Sequence, residues 1–258
     1  MEPLLETKQY SITFRQYDRG LARRELTMVK DLSLKLYAGE VVAVVGASGS
    51  GKSLLAHGIL GLLPYNATEQ GLMLYRGEPL TTKRLKALRG REIVLIPQGD
   101  SCLNPLMKVG KQILKGDKSP SARQRMRGIL EEYHLSHEVE GKYPFELSGG
   151  MVRRVLLTMA RMEQPKLVVA DEPTPGLHKE MAAMALGHLK EMAYEGAGVL
   201  LITHDLEQAL VVADRVVVFH EGRVIEQVDA GDFANAESLA HPYTRALWQA
   251  MPQNGFRA

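Results

Sequence analysis

Short apolar runs rich in β-branched residues alternate along the chain with longer segments in which apolar residues recur at helical spacing. This alternation predicts an α/β protein with a largely parallel sheet. Glu40–Val45 is a nearly continuous apolar run, typical of a strand buried on both faces. Amphipathic strands are predicted over Gln9–Phe14 and Leu32–Leu36. Further strands are predicted over Glu92–Ile96, Lys166–Ala170, Gly198–Thr203 and Arg215–His220, with a turn at Glu221-Gly222 leading into Arg223–Gln227.

The pattern changes between Gln98 and Met162, where strand-like runs are absent and helical spacing predominates. We therefore predict an α/β domain over residues 1–235 with a helical subdomain, at about 98–163, inserted in its core. A short C-terminal extension, residues 236–258, is expected to carry a helix around Tyr243–Met251 that packs through Trp248.

Composition places the chain among ordinary globular proteins, because 45% of its 258 residues are hydrophobic and 24% are charged. The 32 basic and 30 acidic residues give a net charge of +2, which does not suggest a nucleic-acid-binding protein. One segment, Met107–Gly128, carries seven lysines and arginines against the single acid Asp117. It is either a solvated helix face or a surface near anionic lipid or nucleic acid. The segment contains no aromatic residue, which disfavours base stacking.

Cysteine content and apolar run length limit the cellular setting. Cys102 is the only cysteine, so the chain cannot form an internal disulfide. The apolar runs are far shorter than the ~20 residues of a membrane-spanning helix, and Met1–Tyr10 lacks the apolar core of a signal peptide. We therefore expect a cytoplasmic protein that reaches a membrane only through its partners.

A glycine-rich loop follows the strand Glu40–Val45 and precedes a helix predicted at Lys52–Leu63. Its eight residues fit the pattern G-x-x-x-x-G-K-[ST] and form what we term the phosphate loop: Gly46, Ala47, Ser48, Gly49, Ser50, Gly51, Lys52 and Ser53. Such a loop turns successive backbone N–H groups toward an anion at the positive end of a helix. Lys52 can reach terminal phosphates, and the Ser53 hydroxyl is a hard oxygen ligand for Mg²⁺. The loop predicts a nucleoside triphosphate site.

Two carboxylates, Asp171 and Glu172, follow the predicted strand Lys166–Ala170. The carboxyl ends of parallel strands share one edge of a sheet, so both residues are expected beside the phosphate loop. Asp171 is predicted to hold Mg²⁺, and Glu172 to act as a general base on water. The alternative is a strand end with two solvated acids.

A second glycine-rich turn, Leu147-Ser148-Gly149-Gly150, precedes the apolar-periodic helix Met151–Met162. Ser148 is a natural N-cap, and two glycines in a first turn reduce helix stability without an evident packing reason. Exposed backbone at a helix amino terminus binds anions. Taken alone, the pattern also fits an ordinary loop.

Five motifs occur in a fixed order: the phosphate loop, Gln98 after a strand, the Leu147–Gly150 turn, Asp171-Glu172, and His204 after a strand. This arrangement resembles the nucleotide-binding subunit of ATP-binding cassette (ABC) transporters over nearly the whole chain. The resemblance implies a P-loop NTPase fold with an ABC-type RecA-like core, an antiparallel β subdomain and the inserted helical subdomain. It also implies an ATPase that uses ATP and Mg²⁺.

In that family two cassettes pack head to tail, which assigns further roles by resemblance. The residues Leu147, Ser148, Gly149, Gly150 and Met151, here the signature segment, would bind the γ-phosphate held by the other subunit. Gln98 would touch Mg²⁺ or the attacking water and relay the state of the site to a membrane partner. His204 would contact the γ-phosphate and hold Glu172 in place. Phe14, or alternatively Tyr17, would stack on adenine.

Three stretches resemble the peptide/nickel importer branch of bacterial ABC systems: Ser101–Leu106, Tyr143–Met151 and His241–Leu247. The chain is short and lacks a cysteine-rich tail, which favours the nickel or metal-chelate type over the peptide type. The implied partners are a second cassette, two membrane-spanning permeases and, indirectly, an extracytoplasmic solute-binding protein, without nucleic acid. The implied location is peripheral, at the cytoplasmic face of the inner membrane.

The chain departs from the family pattern at two positions. His178 stands where an aspartate is usual, in the loop that faces the partner subunit, and Arg153 stands where a glutamine is usual. We therefore expect a non-identical partner cassette. The alternatives are an ABC-type ATPase outside transport, of the DNA-repair or translation-factor kind, and an ATP-binding regulatory subunit with weak hydrolysis.

Overall fold

The computed structural model describes residues 2–17, 23–99 and 102–254. Ser101 of the branch-like stretch therefore lies outside the described residues. The strands described are β1 (Leu5–Tyr17), β2 (Arg23–Leu36), β3 (Val41–Val45), β4 (Ala67–Tyr75), β5 (Glu78–Pro79), β6 (Ile93–Ile96), β7 (Leu167–Asp171), β8 (Gly198–Thr203), β9 (Arg215–His220) and β10 (Arg223–Asp229). The helices are α1 (Lys52–Ile59), α2 (Thr82–Leu88), α3 (Val109–Leu114), α4 (Pro120–Glu132), α5 (Gly149–Met162), α6 (Lys179–Tyr194), α7 (Leu206–Val212) and α8 (Pro242–Gln249).

The central sheet has the strand order β10-β9-β3-β8-β7-β6. Its strands run parallel except β10, which pairs antiparallel with β9 after the predicted turn at Glu221-Gly222. Val45 lies opposite both Thr203 and Val218, and Ala170 lies opposite Ile96. The segments after β3, β6, β7 and β8 therefore emerge at one edge of the sheet, as the sequence predicted.

The central strands are buried on both faces, which explains their continuous apolar runs. In β3, Val42 and Val44 belong to a core shared with β1, β2 and α1. Val41, Ala43 and Val45 belong to a second core, shared with α5, α6 and the helical insertion. Successive side chains point to opposite faces of a strand, so one run of five residues supplies both cores.

A second, antiparallel sheet has the order β2-β1-β4-β5 and covers one face of the central sheet. The predicted strands Gln9–Phe14 and Leu32–Leu36 lie inside the longer β1 and β2. The apolar pattern of the sequence does not predict β4, β5 or α2. The middle of β4, residues 69–72, is exposed, so it lacks the apolar alternation that marks a half-buried strand.

Helices and short 3-10 turns occupy the chain between Gln98 and Glu163, as expected for the inserted segment. Its core joins Met126 and Leu130 of α4 to Val155 of α5. Arg154 of α5 donates to the carbonyls of Tyr133 and His134, each at 3.1 Å, at the carboxyl end of α4. This side chain thereby satisfies carbonyls that the helix leaves open and fixes the two helices together.

The helix after the phosphate loop is shorter than predicted: α1 ends at Ile59, not at Leu63. Gly61 adopts a φ of +59°, and Leu62 N–H donates to the His57 carbonyl at 2.8 Å while Gly61 N–H donates to Gly58 at 2.9 Å. This pair of bonds is the Schellman arrangement that closes a helix at a glycine. Gly61 therefore ends the helix before Pro64 can.

The C-terminal extension packs on the core largely as expected. Its helix α8 spans Pro242–Gln249, and the indole N–H of Trp248 donates to the Phe233 carbonyl at 2.6 Å. Glu226 of β10 accepts from the backbone N–H groups of Ala240 and His241, at 2.6 and 3.1 Å, where the helix begins. Across the part of the chain that the structure describes, no helix has the length and apolarity needed to cross a bilayer.

Candidate active site

The phosphate loop joins β3 to α1, and two of its glycines are required by the backbone. A Cβ atom at Gly46 would lie 2.0 Å from the Phe219 carbonyl oxygen of β9, well inside van der Waals contact. Gly51, the N-cap of α1, has a φ of +106°, which side-chain-bearing residues rarely adopt. Ala47, Ser48 and Gly49 are exposed, so the mouth of the loop opens to solvent.

Lys52 folds back across the loop and is 5% exposed. Its ammonium donates to the carbonyls of Gly46 and Ala47, both at 2.8 Å. Burial lowers the pKa of Lys52, while the nearby carboxylates of Glu172 and Asp171 oppose that shift. The loop therefore holds a desolvated positive charge at its centre.

The loop fits a polyphosphate by its donor set. Helix α1 begins at the N-cap Gly51 without a side-chain cap, so no capping side chain satisfies its first N–H groups. Among the residues that the structure describes, the buried Ser50 hydroxyl has no hydrogen-bond partner. Free amides, a hydroxyl and the Lys52 ammonium together suit an anion with several oxygens.

Ser53 and Asp171 meet at the end of β7. The Ser53 hydroxyl donates to Asp171 Oδ1 at 3.0 Å, and Asp171 is 3% exposed. Burial raises the pKa of Asp171, and the Ser53 hydrogen bond acts in the opposite direction. A hydroxyl and a carboxylate at hydrogen-bond distance form a hard oxygen pair that suits Mg²⁺. Gln98 follows the neighbouring strand β6, and its side chain is exposed.

Glu172, the next residue, is buried and held from two sides. Its Oε1 lies 2.7 Å from His204 Nδ1, and its Oε2 accepts from the Thr203 hydroxyl at 3.3 Å. Its own N–H donates to the Ile202 carbonyl at 2.9 Å. Glu172 has a φ of +48°, a sparsely populated conformation for a residue with a side chain. Such strain persists where surrounding contacts fix the residue, and it is common at functional sites.

The signature segment lies at the surface. Ser148 and Gly149 are exposed, and the Ser148 hydroxyl accepts from the Met151 N–H at 3.3 Å, as an N-cap does. A Cβ atom at Gly149 would meet no atom within 4 Å of the described chain, whereas one at Gly150 would lie 3.5 Å from the Gly176 carbonyl oxygen. Leu147 and Met151 are partly buried against the core and anchor the turn on either side.

The remaining predicted residues fall in different environments. Phe14 is half-buried and packs against the core beneath β1, whereas the side chain of Tyr17 lies outside the described part of the structure. His178 is the exposed N-cap of α6 and makes no side-chain capping bond there. An aspartate at this position is a favoured N-cap, which a histidine is not.

Two contacts at the site were not identified from the sequence. Thr203 holds Glu172, and its position directly before His204 at the end of β8 is the signal that could have indicated this. Arg153 donates to the carbonyls of Pro97, at 2.6 Å, and of Gln98. The sequence indicates that Arg153 replaces the glutamine usual at this position, but it does not indicate which groups the arginine contacts.

Comparisons with known proteins agree with this arrangement. The sequence profile of the family described as ABC transporter matches residues 29–175. The oligopeptide transport ATP-binding protein OppD of Lactococcus lactis subsp. cremoris (strain SK11) is 37% identical over 266 residues, covering 97% of this chain and 76% of the relative. OppD of Bacillus subtilis (strain 168) is 35% identical over 264 residues, covering 96% of this chain and 72% of the relative.

Solved structures show the same fold. An ATP-binding subunit of an ABC transporter superposes with a TM-score of 0.74 at 26% identity, covering 95% of this chain and 98% of that one. The dimeric post-hydrolysis state of the ATP-binding cassette MJ0796, bound to ADP and Pi, superposes with a TM-score of 0.75 at 25% identity, covering 88% and 98%. The fold, the profile match over more than half of the chain and the likeness to transport ATPases over nearly all of this chain show that it belongs to the ABC transporter family, as an ATP-binding subunit whose ATP hydrolysis is coupled to transport.

Proposed function

We propose that this chain is the ATPase subunit of a bacterial peptide importer. The relatives reported above are named for oligopeptide transport, and their likeness extends over nearly all of this chain. None of those relatives is named for nickel, so the nickel or metal-chelate preference drawn from chain length gains no support. The same names favour transport over the DNA-repair and translation-factor alternatives.

The proposed binding roles follow from the donor set of the site. Lys52 and the amides of the phosphate loop bind the phosphates of ATP, and Ser53, Asp171 and Gln98 hold Mg²⁺. When bound, Mg²⁺ neutralises charge on the phosphate oxygens. Phe14, half-buried near the end of β1, is proposed to stack on adenine, with Tyr17 as the alternative.

One observation carries the proposed chemistry: the buried Glu172 carboxylate is oriented by His204 at 2.7 Å and by Thr203 at 3.3 Å. Glu172 accepts a proton from the attacking water, and His204 keeps the carboxylate turned toward the phosphate loop. Lys52 keeps its positive charge beside the transferring phosphoryl group and stabilises the charge that develops there. The same geometry speaks against a regulatory subunit with weak hydrolysis.

The partners are proposed from the exposed signature segment. Its uncovered Ser148 and Gly149 would bind the γ-phosphate at the phosphate loop of a second cassette. The likeness to a dimeric cassette bound to ADP and Pi supports such a dimer. We propose a non-identical second cassette, because His178 replaces the usual aspartate in the partner-facing loop. Two permeases and a solute-binding protein would complete the importer at the cytoplasmic face of the inner membrane.

The test of the catalytic role is Glu172→Gln, which keeps the shape of the side chain but removes its basicity. We expect the rate of phosphate release to fall by about 10²–10⁴-fold, the range of general-base contributions. ATP affinity should remain within twofold of the parent, because Glu172 is not a phosphate ligand. Glu195→Gln is the matched control, since Glu195 is exposed near the opposite end of β8. Parental turnover in Glu172→Gln would refute the assigned role.

The cargo needs a separate measurement on the assembled transporter, purified with its permeases and binding protein in lipid nanodiscs. We expect short peptides to stimulate ATP hydrolysis and nickel chelates to leave it unchanged. Stimulation by a nickel chelate alone would overturn the peptide assignment without affecting the catalytic roles.

A further inference from the structure

Arg153 lies on α5, one turn beyond the amino terminus where the signature segment enters this helix. Its half-buried side chain reaches the chain that follows β6. The guanidinium donates through Nη1 to the Pro97 carbonyl at 2.6 Å and through Nη2 to the carbonyl of Gln98. One side chain therefore connects the helix that starts at Ser148 to the backbone of Gln98, 55 residues away in sequence.

The chemistry of this contact is specific to arginine. A guanidinium keeps its charge at any physiological pH and presents several N–H groups in one plane. It can therefore donate from two nitrogens to two consecutive carbonyls, with bonds about twice as strong as those between neutral groups. A glutamine, the usual residue here by family resemblance, is shorter and donates from a single nitrogen. The departure at Arg153 thus creates a tether that glutamine cannot make in the same form.

The tethered segment continues toward the catalytic edge. In the paired strands β6 and β7, Ile96 lies opposite Ala170, so Pro97 and Gln98 leave β6 at the sheet edge where β7 ends in Asp171. We propose that Arg153 is a positioning residue that holds Gln98 at this strand end and makes the placement of Gln98 follow the orientation of α5. The inference rests on the proposed role of Gln98 toward Mg²⁺ or water.

The first test compares Arg153→Met with Arg125→Met. Arg125, exposed on α4, likewise donates to a main-chain carbonyl, that of Arg161 at 3.1 Å, but this carbonyl belongs to the last turn of α5 and not to the segment that follows β6. We expect Arg153→Met to lower kcat about tenfold, since a displacement near 1 Å can cost up to about 10²-fold. It should also raise the Mg²⁺ concentration for half-maximal rate, while ATP affinity and Tm match those of Arg125→Met.

A measurement on the nucleotide-free protein is independent of activity. Deuterium exchange of the peptide spanning residues 93–107 should be faster in Arg153→Met than in the parent and in Arg125→Met. If Arg153→Met does not fold, Arg153→Gln takes its place in every measurement. Unchanged exchange together with parental kcat in the folded variant would overturn the inference.

A double-mutant cycle tests whether Arg153 acts through Gln98. Gln98→Ala should reduce kcat, and adding Arg153→Met should reduce it no further, because the group that Arg153 positions is already gone. Multiplicative effects of the two substitutions would show that Arg153 acts elsewhere and would overturn the inference. These outcomes are separable from the proposed function, because Glu172→Gln reports on catalysis whether or not Arg153 matters.

Discussion

Gly46→Ala is the smallest change that should disable the phosphate loop. A Cβ atom at this position would lie 2.0 Å from the Phe219 carbonyl oxygen and 3.1 Å from its carbon. Contacts of Cβ atoms under 3.0 Å are essentially never seen in proteins, so at least 3.0 − 2.0 = 1.0 Å of movement is required. Both partners are backbone: Gly46 follows Val45 of β3, which pairs with Val218 of β9. Neither strand can move away without breaking the ladder between them.

The cost follows from overpacking in a closely packed region. Forced backbone shifts of this kind cost about 2–3 kcal/mol. For a chain of this length one kcal/mol lowers Tm by roughly 2–4 °C, so the expected decrease is about 4–12 °C. If the shifted loop loses even one hydrogen bond to a charged phosphate, worth about 1.5–3 kcal/mol, nucleotide affinity falls by roughly 10- to 150-fold.

The assays are thermal unfolding by circular dichroism and equilibrium titration with a fluorescent ATP analogue in the presence of Mg²⁺. Gly187→Ala is the matched control, because Gly187 lies within α6 and an added Cβ would meet nothing within 4 Å. Alanine is the better helix former by about 1 kcal/mol, so this control should be slightly more stable than the parent. A Gly46→Ala protein with parental Tm and affinity within twofold would refute the steric reasoning.

Two further predictions concern single side chains. His178→Asp should supply the side-chain cap that α6 lacks and raise the free energy of unfolding, measured by urea titration, by about 1 kcal/mol. His178→Asn should have the same effect, and no gain in stability in either variant would contradict the N-cap argument. A second variant, Asp171→Asn, tests the effect of pH. Burial raises the pKa of Asp171. The carboxyl group therefore stabilises the fold below its ordinary pKa of about 3.9, and this stabilisation is lost as pH rises through the raised pKa. Without nucleotide, Asp171→Asn should therefore be more stable than the parent at pH 7 and less dependent on pH, and identical pH profiles would show that Asp171 is not desolvated.

The parts of the fold with strong local signals were predicted from the sequence. The continuous apolar runs of β3, β7, β8 and β9 identified strands buried on both faces, and the structure confirms them. The sequence pattern does not predict β4, because the exposed middle of this strand has no continuous apolar run. The predicted end of α1, at Leu63, is too late because Gly61 closes the helix before the chain reaches Pro64.

Some features of the candidate site were likewise predicted from local sequence, and others were decided only by the tertiary structure. The order of residues in the phosphate loop determined its conformation, because glycine freedom and helix polarity act over a few neighbouring residues. That Asp171 and Glu172 end a buried strand was likewise visible along the chain. Only the tertiary structure decided that β8 lies beside β7 and so brings Thr203 and His204 to Glu172. The order of strands in the sheet depends on packing between segments that are distant in sequence, and so does the contact of Arg153 with Gln98. The local pattern of one strand does not determine which other strand pairs with it.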